Sequence, residues 1–120
     1  MQMGYAKAGQ NTGGIHIRLF SRAFIFEHSG KRSVFVSIDS GMMDPMIKIK
    51  VVEKLQEKYG LDMYTHANVA ISGTHTHSGP AGFLQYILFQ VTSMGSVQDT
   101  IDAFVGGITL VNDYLHFNNH

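Results

Sequence analysis

The 120-residue chain has no cysteine and no tryptophan, two prolines and few charges: nine Lys and Arg balance nine Asp and Glu, 15% of the residues. Each shortage excludes something. Without cysteine there is neither a disulfide framework nor a thiolate metal site, so any metal must be held by His, Asp, Glu or Tyr. The zero formal net charge removes the long-range field that draws basic proteins onto nucleic acid or anionic bilayers. No window reaches the ~18 consecutive apolar residues of a membrane span, and Met1 to Gln10 lack the basic-then-apolar pattern of a secretory signal. An average domain has about 25% charged residues. The 44% apolar content beside so little charge therefore predicts surface that something else covers. The length suits one domain or a piece of a larger one.

What is present reads as α/β. Arg22 to Glu27 (RAFIFE) and Ser33 to Asp39 (SVFVSID) are rich in β-branched and aromatic side chains, and the HSGKR between them holds the turn residue Gly30, so the pair predicts a β-hairpin. Asp44 before Pro45 predicts a helix start, because the Asp side chain accepts a free backbone N–H and proline at the first helical position loses no bond. Ile47, Val51, Val52, Leu55 and Tyr59 then share one face, and Gly60 supplies a stop. Asn68 to Ser72 (NVAIS) is a short apolar run of the kind buried on both faces of a sheet. Strand, helix and strand make a βαβ unit whose right-handed crossover sets the two strands parallel, with their C-terminal ends at one edge. Phe83 to Val91 is strongly apolar and fits helix or strand by pattern; helix is favoured, since Gly79 and Pro80 break the chain before it. A last helix is predicted from Val97 to Leu115, opened by Ser96 and Asp99 as a capping box and weakened by ~1 kcal/mol at each of Gly106 and Gly107.

Ser72 to Pro80 (SGTHTHSGP) carries the chemistry. Residues two apart in an extended segment point the same way, so His75 and His77 can converge on one centre, and imidazole is the commonest protein ligand for zinc. Both could bind metal, or one could bind it while the other handles a proton. The alternative is a polar turn whose Thr and Ser side chains cap local backbone groups. The loop's place at the C-terminal edge of the strands, where ligands of open α/β sheets bind, favours a site. Asp39 ends the neighbouring strand and either orients a histidine, or serves as an N-terminal helix charge or turn cap. The other histidines, His16, His28, His66, His116 and His120, are scattered. The basic face of the helix from Pro45 to Tyr59 has no interleaved aromatics on which bases could stack, which excludes a nucleic-acid partner.

Met3 to Ala6 (MGYA), Gly14 to Arg18 (GIHIR), Ser21 to Ile25 (SRAFI), Val34 to Asp39 (VFVSID) and above all Asn68 to Pro80 (NVAISGTHTHSGP) followed by Gly82 to Tyr86 (GFLQY) are consecutive blocks. They resemble the neutral (non-lysosomal, neutral/alkaline) ceramidase family. The likeness runs from residue 3 to 107, whereas residues 111–120 diverge, so residues 1–120 are expected to be a partial N-terminal segment of a zinc amidase catalytic domain. The expected fold is a mixed sheet with a β-hairpin and a βαβ unit. The resemblance implies hydrolysis of N-acylsphingosine to sphingosine and a fatty acid by zinc-activated water. It implies His75 as a zinc ligand, His77 as a catalytic residue in the same site, and a His16 carbonyl donor to a second divalent ion, Ca2+ or Mg2+. Ceramide and related N-acyl sphingoid lipids, a membrane surface for the full-length protein, and an extracellular or cell-surface location follow from the same likeness. The family's further His, Glu and Tyr ligands and its Asn-Arg-Ser motif have no counterpart in these residues, so the chain alone is expected to be inactive. The rivals are a non-catalytic remnant acting at most as a binding protein, and an unrelated HxH metal module.

Overall fold

A computed structural model describes residues 2–3, 9 and 11–118. Its elements are β1 (Gln2–Met3), β2 (Ser21–His28), β3 (Lys31–Ile38), α1 (Pro45–Tyr59), β4 (Val69–Gly73), β5 (Gly79–Pro80), α2 (Ile87–Ser93) and α3 (Gln98–Asn118). Of the sequence blocks, Gly4 to Ala6 lie outside the described residues, as does His120.

The hairpin forms because Ser29 and Gly30 both take left-handed backbone, φ 50° and 72°, the geometry a two-residue turn needs to match strand twist. β2 and β3 then pair antiparallel with Phe24 opposite Phe35. Alternation buries Val34, Val36 and Ile38 and turns Phe24, Phe26 and Phe35 to the other face, where they are 49%, 61% and 40% exposed. α1 begins as expected: the Asp44 carboxylate accepts the Met46 N–H at 2.8 Å. Ile47, Val51, Val52 and Leu55 are fully buried, each contributing about 1.5–3 kcal/mol. Gly60, at φ 92°, ends the helix and donates its N–H to the Gln56 carbonyl at 2.9 Å.

β4 returns parallel to β3, from Val34 beside Val69 to Ile38 beside Gly73, which completes the βαβ unit in a mixed sheet of order β2, β3, β4. α3 lies against both α1 and β2. Its Ile101, Val105 and Ile108 close the core, and Phe104 meets Phe83 edge to face at 4.9 Å.

Three expectations need correction. β4 is buried on one face only: Val69 is inside while Ala70 and Ser72 are exposed, because both packing helices lie on the same side. The segment Phe83 to Val91 is not one helix. Phe83 and Leu84 are buried core residues in irregular backbone, and α2 starts only at Ile87. Ser96 forms no capping box, since its hydroxyl donates to the Gly82 carbonyl at 3.4 Å. Gly79 and Pro80, expected only to break the chain, also pair antiparallel with Gln2 and Met3.

Candidate active site

The parallel pairing of β3 and β4 ends with Ile38 beside Gly73, so the chains leaving the two strands run together at one edge. Thr74 donates its N–H to the Ile38 carbonyl and His75 donates its N–H to the Ser40 carbonyl, each at 2.9 Å. The His75 ring is held as well, with Nδ1 at 2.6 Å from the Gly41 carbonyl oxygen. A carbonyl oxygen can only accept, so Nδ1 carries a hydrogen, and in the neutral ring the lone pair is then on Nε2. That tautomer, with one ring nitrogen donating to a backbone carbonyl, is the arrangement metal-bound histidines adopt.

His77 is half-buried, and its ring centroid lies 4.9 Å from that of His75 with the planes at 83°. The rings come together by a route other than strand alternation. His75 has φ 64°, so the backbone turns sharply there and the i, i+2 argument from an extended segment does not apply.

The Asp39 carboxylate points elsewhere. It accepts the Phe20 N–H at 3.0 Å and pairs with Arg22, whose guanidinium reaches both oxygens at 3.0 and 3.4 Å. The Arg22 bond first, then the Phe20 N–H, holds the Asp39 carboxyl below the usual carboxylate range. Among the described residues Asp39 fills neither expected role: it orients no histidine and caps no turn or helix, and instead ties the end of β3 to residues 20 and 22. His16 lies in the exposed, irregular stretch 11–20. Among the described residues no three His, Cys, Asp or Glu side chains gather as a metal cage. The two histidines are residue types that fit part of a zinc site, and no more.

Sequence reasoning overlooked the turn that holds His75. Ser40, Gly41 and Asp44 are buried. The Ser40 hydroxyl donates to the Met42 carbonyl at 2.7 Å, and the second Asp44 oxygen accepts the Gln85 N–H at 3.0 Å. A small residue after a strand, Ser40-Gly41, was the available signal. Main-chain acceptors leave no other trace in a sequence.

At the opposite end of the sheet a groove of about 760 Å³ is lined by Glu27, Lys31, Arg32, Tyr59, Asp62 and neighbours, remote from both histidines of the loop. Above it Arg32 bonds Glu27, Tyr64 and the His116 ring. Among the described residues no helix is long and apolar enough to cross a membrane.

Residues 1–116 match the family model of the neutral/alkaline non-lysosomal ceramidase, N-terminal. The chain belongs to that family. It is 54% identical over 107 residues to the neutral ceramidase of Oryza sativa subsp. japonica and 53% identical over 107 residues to neutral ceramidase 3 of Arabidopsis thaliana. Each match covers 88% of this chain and 14% of the relative. Among solved structures, the neutral ceramidase from Pseudomonas aeruginosa superposes with a TM-score of 0.88 at 38% identity, covering 93% of this chain and 18% of that one. A ceramidase complexed with C2 superposes with a TM-score of 0.85 at 40% identity, covering 90% and 17%. These ceramidase neighbours share the mixed α/β arrangement described above, and the chain spans 14% of the length of the curated relatives named here.

Proposed function

We propose that this chain is the part of a ceramidase catalytic domain that brings His75 and His77 to the reacting amide of an N-acyl sphingoid lipid. The observation that carries the proposal is the bond from His75 Nδ1 to the Gly41 carbonyl, which leaves Nε2 as the donor to zinc. When bound, zinc supplies a Lewis acid for the amide carbonyl and acidifies water towards a pKa of ~7. In the overall reaction water adds to the carbonyl carbon, the C–N bond breaks, and the products are a fatty acid and a sphingoid amine. His77, one ring away, takes a proton from the attacking water and returns it to the leaving nitrogen. A second divalent ion, Ca2+ or Mg2+, would use the main-chain oxygen of His16, and the full-length protein would meet its lipid at an extracellular or cell-surface membrane.

The experiment uses a full-length protein containing this segment. His75→Ala is expected to lose zinc and turnover of a ceramide analogue together. His77→Ala is expected to lose turnover by about 10²–10⁴-fold, the range of general acid–base catalysis, while keeping most of its zinc. The 120-residue chain alone is expected to show no turnover, because two imidazoles fall short of the three protein ligands a catalytic zinc uses. A His75→Ala protein that kept both metal and rate would overturn the assignment.

A further inference from the structure

We propose that Gly73 and Asp44 are positioning residues: they hold the turn 40–44 against the start of the histidine loop, so that His75 presents Nε2 outward before any metal arrives. The proposal rests on the role given to His75 above, but what it claims, a preset tautomer, is measurable without metal.

Gly73 is the first element. A Cβ placed there would lie 2.9 Å from the Ser40 carbonyl oxygen and 3.1 Å from the Met42 Cα, both backbone atoms that cannot swing aside. Its φ is not in the left-handed region, so the position needs glycine for space and not for conformation. That space lets the carbonyls of Ser40 and Gly41 reach the His75 N–H and Nδ1 at 2.9 and 2.6 Å. The same two bonds hold His75 at φ 64°, a conformation L residues visit sparingly.

Asp44 is the second. It is 2% exposed, and its two oxygens accept from backbone on opposite sides: Met46 at the start of α1, and Gln85 beyond the histidine loop. One side chain thus ties the far end of the turn to the chain that leaves the site. An isosteric asparagine keeps the volume but has one acceptor, so one of the two N–H groups must face an amide NH2.

The test is long-range ¹H–¹⁵N imidazole spectroscopy on the labelled, metal-free chain, repeated with added zinc chloride. In the wild type His75 is expected to be protonated on Nδ1, and zinc is expected to move its Nε2 resonance. Gly73→Ala is expected to give a mixture of the two neutral tautomers and to weaken zinc binding by about 10- to 100-fold, the usual effect of losing an outer-shell partner. Asp44→Asn is expected to move both readouts the same way, and it carries the test if Gly73→Ala does not fold by circular dichroism. Gly106→Ala, at an exposed helical position with nothing within 4 Å, should move neither. Wild-type His75 protonated on Nε2 would sink the proposal, as would folded variants that keep the wild-type tautomer. If the variants shift the tautomer but zinc moves neither ring in a full-length protein containing this segment, the positioning role stands and the zinc assignment above fails.

Discussion

A left-handed backbone at His75 costs roughly 1–2 kcal/mol for an L residue, and the Ser40 and Gly41 carbonyls offset that cost locally. Asp39, two residues from Gly41, is tuned in a different way. Arg22 and the Phe20 N–H lower its folded pKa. A depressed carboxylate adds stability that is present above the unfolded value of about 3.9 and is lost as pH falls through the folded one. Acid titration of stability should therefore show a loss below about pH 4 that is shallower in Asp39→Asn, and an unchanged slope would mean that the Arg22 pair is screened out. Gly106 and Gly107 sit exposed within α3, and a Cβ added at either would meet nothing within 4 Å. Each Gly→Ala change should raise stability by about 1 kcal/mol, seen as a higher denaturant midpoint at constant slope.

At the scale of elements, legibility followed how local the signal was. α1 could be read because Asp44, Pro45, the apolar face and Gly60 all lie within seventeen residues of one another, and the structure shows each device in use. The hairpin and the βαβ unit were legible for the same reason. The segment Phe83 to Val91 was not: its apolar side chains satisfy helical spacing, yet Phe83 and Leu84 are buried by contacts with distant parts of the chain, and α2 buries none of its own. For the site, the sequence pointed to His75 and His77 but not to their support, which is main chain and the missing Cβ of Gly73. The last turn of α1 meets α3 through Tyr59, whose hydroxyl donates to Asp113 at 2.7 Å. Burial first, then this bond, raises the Tyr59 pKa. A raised tyrosine contributes stability that is complete below its unfolded value of about 10 and is lost as pH rises through the folded one. Tyr59→Phe should cost about 1 kcal/mol at neutral pH and should flatten the alkaline fall in stability, measured by denaturant titration between about pH 9 and 12.

Across the whole molecule the radius of gyration is 15.2 Å, against about 13.6 Å for a compact chain of this length. The accessible surface is 7521 Å², where the size scaling gives roughly 6,450 Å². Part of the excess is the aromatic face of the sheet, with the Phe24 and Phe35 rings stacked 6.3 Å apart in the open, as the low charge content led us to expect. Replacing Phe24 and Phe26 by Thr should lower dye binding and concentration-dependent scattering of the purified chain without reducing its strand content, whereas equal scattering would place the sticky surface elsewhere. The order β2, β3, β4 has one more effect. Among the described residues β4 pairs with β3 only, and from Met63 to Gln98 the sequence contains no Lys, Arg, Asp or Glu. An edge strand without a charged gatekeeper is a template for further strands. The open edge of β4 is therefore where pairing between copies of the chain would start, in preference to β2 at the other edge, which carries Arg22 and Glu27.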